Sequence, residues 1–226
     1  MPKRKRAAPV SWLFRDKLAV VSTPDSDMIG QFHVSVKYDE SKAEGSIVIH
    51  HSVLLEGFCS EQNLDLVLRP ETIATCDLSS RLESSKLPAE AFDLISTDQS
   101  DVWCMSLSLH KPGTVICPPA PLPLSFVPTG CEKQFTAFSR LCRATKLKIY
   151  IGTDQADHLI CLERFVSRVA LGELRANPID LRRLGGGEGK QEATWGAIHP
   201  SPWVEAQTAA GSMKRHCDGE PLYMRF

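Results

Sequence analysis

The sequence predicts an α+β domain, an antiparallel β meander followed by helix–strand–helix, with a disordered basic N-terminus and a largely disordered C-terminal tail. Three observations predict it. Period-2 alternation of apolar and polar residues recurs between residues 17 and 117. Two apolar stripes at helical spacing follow a proline cluster. Glycine and proline then accumulate where apolar residues thin out.

The elements follow in chain order. Lys17 to Ser22 is a short apolar run. Phe32, Val34, Val36 and Tyr38 alternate with His33, Ser35 and Lys37, the pattern of a half-buried strand. Asp39 to Gly45 is a polar turn, and Ser46 to Leu55 is β-branched and apolar, so 31–38 and 46–55 form a hairpin. Leu64, Leu66 and Leu68 alternate and stop at Pro70. Residues 79–100 are polar and serine-rich and suit a long loop. Val102 to Leu109 alternates again, Lys111-Pro112-Gly113 supplies a turn, and Thr114 to Cys117 follows, completing an antiparallel meander. Pro118, Pro119, Pro121, Pro123 and Pro128 favour an extended connector, and its apolar flanks place it on the domain. Thr129-Gly130-Cys131-Glu132 fits a capping box ahead of a helix whose Phe135, Phe138, Leu141 and Cys142 share a face. Leu147 to Ile151 reads as a strand. Leu159, Leu162, Phe165, Val166 and Val169 stripe a second helix. The domain organisation expected is a leader at 1–16, one domain at 17–173 and a low-order tail at 174–226, which holds half of the 14 glycines.

Composition limits the function classes. The 226 residues include 42% hydrophobic and 23% charged residues, enough for a packed core. Net charge is −1 but uneven: residues 1–17 hold six of the 26 Lys/Arg and one of the 27 acids. The mildly acidic body disfavours a broad nucleic-acid face. No apolar run reaches 18 residues, and no secretory signal is visible, so no membrane partner is expected. The eight cysteines sit mostly in apolar runs and read as reduced core thiols.

Lys3, Arg4, Lys5 and Arg6 resemble a nuclear import signal, and the expected location is nucleus or cytoplasm. Gly185 to Lys190 imitates a phosphate loop, but position 184 is leucine and Gln191 supplies no hydroxyl for magnesium, so a linker is the better reading. His50 and His51 are strand neighbours and point to opposite faces, so they do not share a metal; one is expected buried and hydrogen-bonded. His158 and Cys161 share a helical face but lack a second ligand pair unless the fold brings Cys142 close. Asp25-Ser26-Asp27 reads as a turn rather than a cation site, and His216-Cys217 lacks further ligands. No nucleophile elbow of the form Gly-x-Ser-x-Gly occurs. Neither catalytic nor metal residues nor a cofactor are named. Trp195 and Trp203, with Tyr223, are the large rings of the tail and the candidate partner contacts.

The order Leu107-Ser108-Leu109, Lys111-Pro112-Gly113-Thr114-Val115-Ile116, helix, Lys148-Ile149-Tyr150-Ile151, helix, then Asp180-Leu181, Leu184, Gly186 and Gly189-Lys190 resembles a group of uncharacterised proteins from filamentous ascomycete fungi. The resemblance covers the second half of the chain, with an echo from Phe32 to Leu68. It implies a β-rich front, a helix–strand–helix end, a Gly-rich segment before a variable tail, and a fungal origin. It supplies no catalytic residue, and a tyrosine often stands there where this chain has Gly185. The expected function is a non-enzymatic interaction protein with a protein partner. An enzyme or accessory factor of a fungal secondary-metabolite pathway is the alternative.

Overall fold

The structure, a computed structural model, describes residues 12–24, 29–80, 95, 101–127, 132–153, 156–184, 189–194 and 196. The leader with Lys3–Arg6, Asp25-Ser26-Asp27, most of the 81–100 loop, the capping residues 129–131, residues 185–188, Trp195, Trp203 and the rest of the tail lie outside them. So do Cys131 and Cys217.

Ten strands are described: β1 (Trp12–Ser22), β2 (Ile29–Asp39), β3 (Glu44–Leu54), β4 (Glu61–Leu68), β5 (Ile73–Ser80), β6 (Asp101–Leu109), β7 (Thr114–Cys117), β8 (Lys146–Thr153), β9 (Arg175–Ala176) and β10 (Gln191–Ala193). Helix α1 spans Glu132–Arg143 and α2 spans Ala156–Ala170. They form one sheet in the order β10-β7-β4-β3-β2-β1-β8-β6-β5, with β9 beside β3. All pairings are antiparallel except β3 with β9.

The expected hairpin forms as β2 and β3, with Val34 opposite Ile49 and Lys37 opposite Ser46. Its connection is closed by Asp39, which accepts bonds from the Ser41 hydroxyl and the Lys42 amide and ammonium. Those bonds, the Lys42 ammonium first, hold the Asp39 carboxyl down at about 2.

The meander holds only through β4. Lys111-Pro112-Gly113 does not make a hairpin: β6 pairs with β5 and β8, whereas β7 pairs with β4 and β10. Six inter-strand steps separate β7 from β6, roughly 29 Å in a flat sheet at about 4.8 Å each. Leu109 and Thr114 are five residues apart, a reach of at most roughly 18 Å. The sheet must therefore curl until its two ends approach. The short link from Leu68 to Ile73 between β4 and β5 makes the same demand. Gly113 sits where the chain crosses: a Cβ there would come within 2.7 Å of Leu66 Cδ1 and 3.0 Å of the Val67 carbonyl.

One continuous cluster fills the inside of the curl. It takes side chains from β1 to β8, including Val34, Ile49, Leu66 and Ile149, and from Phe135 and Phe138 of α1 and Phe165 and Val169 of α2. Helix α2 ends at Gly172, whose φ of +69° places it in the left-handed region; Gly172 N–H reaches the Val169 carbonyl and Glu173 N–H the Arg168 carbonyl. The proline connector lies on the domain: Leu124 and Phe126 are buried, and Val127 N–H bonds to the Leu54 carbonyl.

Two boundaries move. The sheet begins at Trp12 rather than residue 17, because β1 carries a bulge at Arg15 and Asp16 that hides the alternation. Folded structure also continues past 173. Residues 174–184 and 189–193 run back across the sheet, where composition alone suggested a loose tail.

Candidate functional site

The polar face of the sheet carries the largest group of interacting charges described. Outward positions on neighbouring strands are Ser35 (β2), His50 (β3) and Asp65 (β4), and His50 and Asp65 are direct register partners. Strand alternation sends these three outward while Val34, Ile49, Leu64 and Leu66 point into the core. His50 Nδ1 lies 2.8 Å from Asp65 Oδ1, and His50 Nε2 lies 2.8 Å from Ser35 Oγ.

The donors run one way. An ionised carboxylate only accepts, so Nδ1 carries the imidazole proton toward Asp65. Nε2 then accepts from the Ser35 hydroxyl. Ser35 Oγ in turn accepts the Asp16 N–H at 3.0 Å. Asp16 makes this possible through its bulge, where φ is +50°. Its carboxylate stands 3.4 Å from Ser35 Oγ and 3.6 Å from His50 Nε2. On the far side, Lys190 donates to Asp65 Oδ2 at 2.8 Å and to the Asn63 carbonyl at 2.9 Å. Burial pushes the Asp65 carboxyl up, but the His50 hydrogen bond and the Lys190 ammonium outweigh it, and the net shift is downward. Nearby Lys37 is held below its ordinary value, chiefly by burial, and lies 4.4 Å from the Trp12 ring centroid.

Ser35, His50 and Asp65 thus stand in the order nucleophile, base and orienting acid, with the ring nitrogens used as a hydrolytic triad uses them. Access argues otherwise. Ser35 is only 1% exposed, and its oxygen is already engaged by Asp16 and His50. The described concavities lie elsewhere. One, of about 500 Å³, is a groove at the sheet edge between Arg69, Lys111, Thr114, Glu192 and Thr194. The other lies against Glu40 and Arg164 on α2.

What the network does hold is the returning segment. Arg175 N–H bonds to the Ala43 carbonyl and Asn177 N–H to that of Gly45. Ile179, Leu181 and Leu184 cover an apolar patch of Val48, Val67 and Ile116. Lys190 then docks on Asp65, and β10 pairs with β7, Gln191 opposite Cys117. The Gln191 amide donates to the Pro118 and Ala120 carbonyls. Residues 174–184 and 189–193 form a strap over the outer face.

The two histidines correct an expectation. His51 is buried and His50 is hydrogen-bonded; no single ring is both. His51 is 4% exposed, packed edge-on to Phe32 and tilted against Phe135 and Phe138, and its Nε2 has no hydrogen-bond partner. His158 does not meet a ligand set: it stands edge-on to Phe14, with ring centroids 5.5 Å apart, while Cys142 is fully buried on α1. Among the described residues no group of three His, Cys, Asp or Glu is placed to hold a metal, and the six described cysteines are free. No helix among them is long and apolar enough to cross a membrane. Sequence reasoning named Lys190 only as part of a linker and missed Asp16, Ser35 and Asp65; the one available signal was their shared polar phase in strands of alternating pattern. Comparisons with protein-family models, with curated proteins and with solved structures find no match to this chain.

Proposed function

We propose that this chain is a non-enzymatic interaction protein of fungal origin, nuclear or nucleocytoplasmic, whose β-sheet binds an extended protein segment. The observation that carries the reading is the strap. The outer face already holds an extended segment by three means at once: strand addition at β7, an apolar patch and a buried carboxylate that takes a lysine. Those are the recognised elements of β-augmentation, in which backbone pairing gives affinity and side-chain contacts give selectivity. Strand β10 ends the described sheet, and the groove of Arg69, Lys111 and Glu192 beside it offers charges of both signs. Trp195 and Trp203, the candidate partner contacts of the sequence, come two and ten residues after β10.

The test is a photo-crosslinking residue placed at Glu192 in the full chain inside fungal cells, with Glu163 on α2 as control. A discrete partner at 192 and none at 163 is expected. Equal products at both positions would count against the reading. The nuclear part is tested separately: changing Lys3, Arg4, Lys5 and Arg6 to alanine is expected to shift the tagged chain to the cytoplasm, and an unchanged distribution removes it.

A second reading, hydrolysis in a metabolic pathway, is favoured by the 2.8 Å spacings from Ser35 to His50 and from His50 to Asp65. A fluorophosphonate probe decides: labelling of the wild-type chain that disappears in Ser35→Ala would replace the interaction reading.

A further inference from the structure

We infer that the groove at the end of the sheet binds a phosphate monoester, and that Glu192 is the internal anion which the phosphate displaces from Arg69. The inference goes beyond the interaction reading and does not depend on it. Strand register builds the site. Thr114 lies opposite Val67 of β4, and Glu192 lies opposite Ile116 of β7. Val67 and Ile116 belong to the outer face. Arg69 lies two residues beyond Val67, and Thr194 two beyond Glu192. Pleating therefore sends Arg69, Thr114, Glu192 and Thr194 to that one face. The crossing from β6 to β7 brings Lys111 to the same rim, and the groove they line holds about 500 Å³. Among the described residues none of 174–184 lines it, so the strap's aliphatic side chains leave this end of the face open.

The groove holds more donors than it uses. Arg69 Nη2 donates to Glu192 Oε1 at 2.5 Å. Lys111 is exposed and, among the described residues, has no ion pair or side-chain hydrogen bond. The same holds for the hydroxyls of Thr114 and Thr194. The backbone ladder stops at Ala193 opposite Val115, so these threonines are the next residues in register beyond it. Charge selects the ligand. Two cations face one carboxylate, which leaves the lining one net positive charge. A carboxylate or a phosphodiester brings a single negative charge. It gains little over Glu192, which is tethered beside Arg69 at high effective concentration. A phosphate monoester brings about two negative charges and three acceptor oxygens. It engages Arg69 and Lys111 together and accepts from the threonine hydroxyls, while Glu192, already 39% exposed, turns into water. Two cations are too few for a nucleic acid, whose affinity grows with the number of phosphates neutralised.

The experiment titrates the full chain with inorganic phosphate, with a phosphoserine peptide and, as monoanionic controls, with acetate and dimethyl phosphate, all at one ionic strength. Amide chemical shifts are followed by NMR. Saturable shifts at Gly113, Thr114 and Ala193 are expected with the first two probes, and binding weaker by about tenfold or more with the controls. Lys111→Met is expected to weaken phosphate by about tenfold. Glu192→Gln is expected to tighten it by about threefold or more, because Arg69 is released from a charged competitor. These opposite signs separate binding in the groove from general attraction to the surface. Equal binding of the controls, or a Glu192→Gln variant that binds no better than wild type, overturns the inference. Tighter binding of the phosphoserine peptide than of inorganic phosphate places the ester on a protein, and the reverse order places it on a small molecule; both uphold the site. A cross-linked partner at 192 without phosphate binding removes this inference and keeps the interaction reading, whereas phosphate binding without a cross-linked partner does the opposite.

Discussion

His50 and His51 are neighbours on β3, yet they live in different solvents. His51 points into the curl, among three phenylalanine rings, and nothing bonds to its Nε2. His50 points out, 27% of its side chain exposed, and both of its ring nitrogens are used. Pleating alone separates them: a strand sends successive side chains to opposite faces. The inner face is a close-packed aromatic and aliphatic core. The outer face is a polar seam, flanked by the strap-covered patch of Val48, Val67 and Ile116 on one side. On the other lies a second patch of Val20, Val102, Cys104 and Tyr150, covered by Ile95. The inner face makes the domain stable. The outer face determines what may lie on it.

The largest expected effect breaks the inner half of this contrast. Phe138 is fully buried and contacts Phe32 and His51. Phe138→Ala is expected to cost about 3–5 kcal/mol, measured as a lowered urea midpoint, because two rings lose their common neighbour and the cavity cannot fully collapse. A loss below about 1 kcal/mol would mean the helix does not seal the curl as described.

The next effect is pH-dependent. Burial lowers His51 from its ordinary 6.5 to about 4, with the Glu61 charge opposing weakly. Between those values the unfolded chain binds the extra proton. Stability is therefore complete above about pH 6.5 and falls as the pH drops toward 4, by roughly 3 kcal/mol over the window. His51→Leu fills a similar volume without the orphaned nitrogen. It is expected to flatten that part of the stability–pH curve and to leave the chain more stable than wild type at pH 5. An unchanged slope would locate the acid sensitivity elsewhere.

The same change next door is expected to do the opposite. His50→Leu leaves Asp65 with Lys190 alone and Ser35 with only the longer contact to the Asp16 carboxylate as acceptor, at a cost of about 1–3 kcal/mol at pH 7. A double-mutant cycle with Asp65→Asn is expected to show coupling between the two positions, and none between His51 and Asp65. Equal effects of the two histidine changes would erase the distinction between the faces.

Much of the inner face was legible. Phe32, Val34 and Val36 alternate, so β2 and its core face follow from period 2. The stripes of Phe135, Phe138 and Leu141, and of Leu162, Phe165 and Val169, mark buried helical faces. Turn chemistry misled at Lys111-Pro112-Gly113, because a turn signal states that the chain bends and not which strand it meets next; the curl decided that. The outer seam was illegible for a different reason. Asp16, Ser35, His50, Asp65 and Lys190 span 175 positions of the chain, and each alone looks like an ordinary polar side chain on a strand. The strap was missed because Ile179, Leu181 and Leu184 are three aliphatic residues amid glycine, proline and arginine. Too few to suggest a core, they suffice to cover a patch that the sheet already provides.

The smallest expected effect lies at the strap's outer end. Arg69 and Glu192 form an ion pair at the open edge of the sheet, with both side chains more than a third exposed. Water and salt screen such a pair, and holding two long side chains costs entropy, so Glu192→Ala is expected to change stability by about 0.2–1 kcal/mol. Its value is diagnostic. Because β10 is paired through its backbone, with Glu192 opposite Ile116, the strap should remain docked without the carboxylate. Hydrogen exchange in β7 should then match wild type, whereas Lys190→Met should raise it. If Glu192→Ala frees the strap as effectively, the rim charge rather than the Asp65 carboxylate anchors the segment.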